Sequence, residues 1–139
     1  MSDRCFVDTN LLVYWRDHDE PAKQAVAREW LTRLWKDRNG CISTQVLSEF
    51  FVTVTQKLTP GLSREEAWAD VIDLLTWKPL AIDVRLMQRA RSVQETHGLS
   101  WWDSLIVAAA QTGQCRTLLT EDLQDGQDID GTVVHNPFS

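Results

Sequence analysis

The chain has 139 residues, 43% of them apolar and 24% charged, which fits one globular domain and leaves little room for a second. Fourteen Lys and Arg against twenty Asp and Glu give a net charge of −6, so a broad basic footprint for nucleic acid is excluded. The longest apolar run, Leu105 to Ala110, is far short of the roughly 18 residues of a membrane helix, so no membrane partner is expected. Cys5, Cys41 and Cys115 lie far apart beside apolar segments, and no secretory leader is evident. Both features predict buried, reduced thiols and a cytoplasmic location.

Arg4 to Val7 reads as a short buried strand ending at Asp8, followed by a helical turn through Leu11, Leu12 and Tyr14. Pro21 opens a second helix, with an apolar stripe of Val26, Trp30, Leu31, Leu34 and Trp35, that stops at Asn39-Gly40. Cys41 to Ser43 is a second strand. Ser43 or Thr44 then caps a helix striped by Leu47, Phe50, Phe51, Val54 and Leu58. Ser63 to Glu66 is a capping box that leads into the next helix. Leu80 to Ile82 forms a third strand, Val84 to about Glu95 a helix that stops at His97-Gly98, and a last helix begins near Asp103 and ends at Gly113. Thr117 to Thr120 and Gly131 to His135 are the fourth and fifth strands. Short, non-alternating strands separated by helices predict a single α/β domain over residues 1–139, a three-layer sandwich with a parallel sheet.

Sites in such sheets lie beyond the C-terminal ends of the strands. Asp8 directly follows the first strand, Asp122 comes two residues after the fourth, and Asp103 sits at the start of the helix preceding that strand. Glu49 lies opposite the apolar stripe of its helix, free to face a cleft. Taken singly each has an ordinary explanation: Asp8 and Asp103 as caps, Glu49 as a solvated helix residue, Asp122, Asp125, Asp128 and Asp130 as turn formers. Together at one sheet edge they repel unless a cation sits among them, and hard oxygen ligands suit Mg²⁺ or Mn²⁺. Thr9, Asn10, Ser104 and Thr120 are small polar residues placed to hydrogen-bond the carboxylates or a metal-bound water. His18, His97 and His135 have no zinc spacing, and there is no phosphate loop or nucleophile elbow.

The segments Asp8-Thr9-Asn10, Ser43 to Phe50 (S-T-Q-V-L-S-E-F), Trp101 to Ala110 (W-W-D-S-L-I-V-A-A-A) and Thr120 to Gly126 (T-E-D-L-Q-D-G) resemble the PIN-domain family, in particular its VapC-type toxins. The resemblance runs along essentially the whole chain to Val133–Phe138. It assigns Asp8, Glu49, Asp103 and Asp122 to the family's acidic site, with Asp125 as an accessory. It implies a sheet of order 3-2-1-4-5, Mg²⁺- or Mn²⁺-dependent endoribonuclease activity, homodimerisation, and inhibition by a small antitoxin protein. Arg16, Lys23, Arg85, Arg89 and Arg91 are candidate phosphate contacts, and Tyr14 or Trp15 a candidate base-stacking surface. Trp30, Trp35, Trp68 and Trp77 are candidates for a dimer or antitoxin surface.

A dehalogenase-type phosphatase requires a second Asp two residues after the first, where this chain has Asn10. A receiver domain requires an acidic pair before the strand-one Asp, which is missing. A catalytically silent interaction protein and a structure-specific DNA nuclease of the same fold are the remaining alternatives, the latter expected to be longer and more basic.

Overall fold

In the computed structural model, which describes residues 3–139, the first buried segment forms strand β1 (Cys5–Val7), and the chain turns at Asp8 into helix α1 (Thr9–Arg16). The Asp8 side chain accepts from the Thr9 backbone N–H and so caps that helix. Helix α2 (Pro21–Asp37) carries Pro at its first position, where the missing N–H has no consequence. It leads into β2 (Gly40–Cys41) and α3 (Thr44–Gln56). Of the two cap candidates for α3, Ser43 is the one that accepts from the Val46 N–H. Helix α4 (Arg64–Leu74) opens with the capping box predicted from Ser63 and Glu66 and tightens into a 3-10 turn over Leu75–Trp77. Asp83 caps α5 (Val84–His97), which ends at the left-handed Gly98, within the predicted stop at His97-Gly98. Helix α6 (Trp101–Thr112) is followed by β3 (Thr117–Leu119), β4 (Asp128–Ile129) and β5 (Thr132–His135).

The five strands lie in the order β2-β1-β3-β5-β4. β1 is parallel to β2 and β3, and β3 to β5. The predicted third strand contracts to a single parallel bridge, Ser43 to Leu80, fixed by backbone bonds from Leu80 to Ile42 and from Thr44 to Leu80. The expected order of the predicted strands therefore holds, with two departures. Leu80 to Ile82 is too short to form a ladder, and an antiparallel two-residue strand, β4, is added outside β5. That strand includes Asp128, expected in a turn. The turn itself is Asp130-Gly131, with φ of 52° and 97°. Positive φ at both central residues is the requirement of the tight two-residue hairpin that Asp-Gly favours.

The helices divide between the two faces of the sheet: α5 packs on α6, while α1 packs on α2 and α3, and α3 on α4. Phe6 and Val7 in β1, Leu118 and Leu119 in β3, and Phe50 of α3 are fully buried between them. Each such side chain contributes about 1.5–3 kcal/mol on removal from water. From Ser104 to Ala110 every residue of α6 is buried, and the three alanines let it lie close to the strands. The cysteines are free and buried, as expected. Among the described residues no helix is long and apolar enough to cross a membrane.

Candidate active site

The register of β1 on β3 builds the centre of the site. Val7 pairs with Leu119, and the Asp8 N–H continues the ladder to the Leu119 carbonyl, so Asp8 and Thr120 emerge side by side at the C-terminal ends of their strands. Asp8 is only 5% exposed. One carboxylate oxygen accepts from the Thr9 N–H at 2.7 Å and the other from the Thr120 hydroxyl at 2.7 Å. Burial pushes the Asp8 carboxyl up to about 7; those two hydrogen bonds oppose the shift, and the charges of Asp122 and Glu49 add to it.

Thr120 is fully buried, and its hydroxyl is saturated. It accepts from the Asp122 N–H at 3.0 Å and the Asn10 amide at 3.3 Å, leaving its single proton for Asp8. The Asn10 amide also donates to the Asp122 carboxylate at 3.2 Å, tying the start of α1 to the loop after β3. The other amide atom, Asn10 Oδ1, is buried with no hydrogen-bond partner. Burial raises the pKa of Asp122 against the Asn10 bond, and the charges of Asp103 and Glu121 raise it further.

Glu49 projects from the exposed side of α3, as its helical position predicts, and accepts from the Thr9 hydroxyl at 3.2 Å. Asp103 occupies the first turn of α6, where the helix dipole favours a carboxylate. The prediction that α6 begins near Asp103 is corrected: the helix starts at Trp101, and Ser100 caps it by accepting from the Asp103 N–H. Glu49, Asp8, Asp122 and Asp103 thus form a chain of mutually repelling carboxylates around one sheet edge. None of the four pairs with Lys or Arg among the described residues.

Two of the predicted supporting residues direct their hydrogen bonds elsewhere. The Ser104 hydroxyl donates to the Ser100 carbonyl within the helix, and Asp125 accepts from the Asn136 N–H, facing the C-terminal segment. The candidate RNA contacts on α1 and α2 are also engaged. Arg16 holds Asp70 through two bonds, and Lys23 bridges the Tyr14 hydroxyl and Glu121. Trp15 packs against Phe50, with the Arg16 guanidinium 3.8 Å from its ring centroid. Trp35 and Trp68 are exposed, whereas Trp77 is buried.

A feature of the rim escaped the sequence reading. Trp102 is 64% exposed beside Asp103 and, with Gln45, Ser48, Glu49, Ile82 and Leu105, lines a cleft of about 500 Å³. Gln45 donates to the Trp102 carbonyl at 3.4 Å, and its own amide oxygen is buried without a partner. The adjacent pair Trp101-Trp102 held the signal, because two consecutive helical residues cannot both face the core.

The donors at this edge are carboxylate oxygens and the orphaned Asn10 Oδ1, the chemistry of a hard divalent cation. As they stand, no three His, Cys, Asp or Glu side chains among the described residues are gathered closely enough to hold a metal ion.

The PIN domain family model matches residues 5–125. No curated protein matches the chain in sequence. Among solved structures, a toxin-antitoxin complex from Klebsiella pneumoniae superposes with a TM-score of 0.68 at 20% identity, covering 96% of this chain and 98% of the other. FitAB bound to an IR36 DNA fragment gives 0.67 at 21%, covering 97% and 96%. VapBC2 from Rickettsia felis bound to a DNA fragment from its promoter gives 0.62 at 20%, covering 95% and 97%. At these identities the structures establish a shared fold. With the family model spanning most of the chain and the carboxylates of its acidic motifs standing at one sheet edge, the chain belongs to the PIN-domain family.

Proposed function

We propose that the protein is a Mg²⁺-dependent endoribonuclease, with Mn²⁺ as a substitute, and the toxin of a two-protein toxin–antitoxin pair. The observation that carries this reading is the placement of Asp8, Asp122, Glu49 and Asp103 at one sheet edge, with Asp8 buried and none of the four paired with Lys or Arg among the described residues. Asp8, Asp103 and Asp122, with Glu49, are the residues to hold the ion. Bound there, Mg²⁺ supplies a lowered water pKa and neutralises charge developing on a phosphodiester. Thr120 and Thr9 position the carboxylates of Asp8 and Glu49, and Asn10 holds Asp122 towards the centre. The exposed Trp102 offers a stacking face to an unpaired base beside Asp103.

The partner reading rests on the solved structures of similar fold, of which one is described as a toxin-antitoxin complex. A small antitoxin and a second copy of this chain are the partners it proposes. The deciding experiment is cleavage of labelled total RNA by purified protein with Mg²⁺, with EDTA, and with Asp8→Asn. Cleavage lost in both controls supports the proposal; cleavage that persists in EDTA overturns it. A catalytically silent interaction protein is the second reading, favoured by the open spacing of the four carboxylates. It gains if Mg²⁺ neither binds nor supports cleavage.

A further inference from the structure

The sheet edge opposite the carboxylates has its own architecture. Arg4 precedes β1, Gly40 opens β2, and Gly113 and Gln114 lie ahead of β3, so the N-terminal ends of three strands converge there. A cleft of about 760 Å³ lies among them, lined by Arg4, Arg38, Lys78 and Gln114 and by the rings of Trp35 and Trp77. Three cations and no carboxylate line it, in a chain of net charge −6. Neither Arg38 nor Lys78 pairs with a carboxylate among the described residues.

The backbone supplies an independent observation. Helix α2 ends at Arg38 with φ of 56°, the 3-10 turn ends at Lys78 with φ of 51°, and Gln114 follows α6 with φ of 58°. A helix end in this left-handed conformation ordinarily takes glycine. The chain does so at Gly98, φ 68°, after α5 and away from the cleft. At the cleft, three such positions carry long polar side chains despite the conformational cost. A cation at a helix C-terminus also complements the helix dipole, which gives Arg38 and Lys78 a reason to be charged. That reason does not extend to Arg4, at the start of a strand, or to the meeting of all three in one concavity.

The aromatic wall is held by a missing Cβ. A methyl group on Gly40 would stand 2.5–2.6 Å from the Trp77 ring, so only glycine lets that ring lie here. Trp77 in turn supports Trp35, with centroids 5.7 Å apart, and Trp35 remains 44% exposed at the mouth.

We propose that this cleft binds a phosphorylated nucleotide unit, its phosphate held by Arg4, Arg38 and Lys78 and its base stacked on Trp35. Arginine forks match phosphate oxygens, and an exposed indole accepts any base face. The combination of cations with an exposed indole favours a nucleotide over a simple anion. The unit is either a free nucleotide or one residue of an RNA strand. Strands of three residues put this cleft about 10 Å from the carboxylate edge, so it is separate from the proposed hydrolytic site and stands without it.

The test is calorimetric titration of the metal-free protein with 5′-AMP, adenosine, inorganic phosphate and a five-residue oligoribonucleotide. The key variant is Arg38→Gly with Lys78→Gly, which removes both charges and relaxes both left-handed positions. Its thermal midpoint is expected to equal or exceed that of the parent, so lost binding cannot be put down to unfolding. The expected result is saturable 1:1 binding of 5′-AMP, at least tenfold weaker binding of adenosine and of phosphate, and at least a tenfold loss in the variant. Oligonucleotide binding tighter than 5′-AMP and lost in the variant assigns the cleft to an RNA strand, whereas 5′-AMP binding alone assigns it to a free nucleotide. No saturable binding of either, binding indifferent to the variant, or phosphate bound as tightly as 5′-AMP overturns the proposal.

Discussion

The Thr120 hydroxyl donates to the Asp8 carboxylate at 2.7 Å, joining residues 112 positions apart across the centre of the sheet. It accepts two further bonds, so one buried oxygen sets the positions of Asp8, Asn10 and the Asp122 backbone together.

Thr120→Val keeps the volume and removes all three bonds. The variant is expected to lose about 1–3 kcal/mol of stability, the usual consequence of leaving buried donors unpaired. Without its side-chain donor the Asp8 carboxyl rises further, so under the proposed function RNA cleavage at pH 7 should fall about tenfold and its pH profile move upward. Thr120→Ser should restore both. A Val variant with the parent's profile would show that Thr120 does not hold Asp8.

The metal-free protein should lose stability as the pH rises. Asp8 titrates near 7 when folded and near 3.8 in the unfolded chain. Between those values the folded state holds a proton that the unfolded state has released, so Asp8's contribution is full below 3.8, declines through the interval and is flat above about 7. The change is on the order of a few kcal/mol. Asp8→Asn removes it, so in EDTA the variant should gain on the parent between pH 5 and pH 8. Parallel melting curves at the two pH values would remove the basis for the shift.

Mg²⁺ should act in the opposite sense. A cation binds the ionised carboxylate, so saturating Mg²⁺ is expected to raise the melting temperature of the parent more at pH 8 than at pH 5. Asp8→Asn should lose most of that increment. Equal stabilisation of both proteins would place the ion elsewhere.

Arg16 of α1 grips Asp70 of α4 through Nε at 2.7 Å and a terminal nitrogen at 2.6 Å, and Asp70 is only 6% exposed. Asp70→Ala leaves the guanidinium unpaired over Trp15. Because Arg16 is partly solvated, the expected loss is about 2 kcal/mol, below the range for a fully buried pair. Chemical denaturation should show it as a lower midpoint with an unchanged slope.

Gly40→Ala puts a methyl group into the Trp77 ring, within 2.6 Å. Overpacking of this kind costs about 1–3 kcal/mol and turns the indole. The near-ultraviolet circular dichroism should change with the melting temperature, whereas a methyl tolerated without either effect would mean that the ring is free to move.

Much of the fold was legible because its signals are local. Pro21, the Ser63–Glu66 box and Gly98 mark helix ends in the sequence itself, and the helices they bound fall where expected. Asp8, Glu49, Asp103 and Asp122 were legible as a set because strand ends in a parallel sheet share one edge. The partners of those residues were not. Thr120 meets Asp8, and Arg16 meets Asp70, only after the sheet and helices have packed, and no periodicity encodes such pairs. Ser104 lay near the right place, but the Ser100 carbonyl one turn back, which also accepts the Ser104 N–H, captured its hydroxyl. The start of α6 was misplaced because the two bulky tryptophans obscured Ser100 as the cap. The β4–β5 hairpin carried its signal in Asp130-Gly131, but strands of two and four residues are too short for alternation to appear.

That hairpin also governs how copies of the chain can meet. An open strand edge is a template for another chain's backbone, and here one border of the sheet is the two-residue β4 and the other is passed by the single Leu80 bridge. Neither border offers a run of free amides and carbonyls long enough to extend the sheet from one molecule into the next. Self-association by sheet extension is therefore disfavoured, and any contact between copies falls to side chains. The exposed large apolar residues Trp68, Ile72 and Leu75 on and just after α4, and Val84 and Met87 on α5, lie on helices rather than on either border of the sheet.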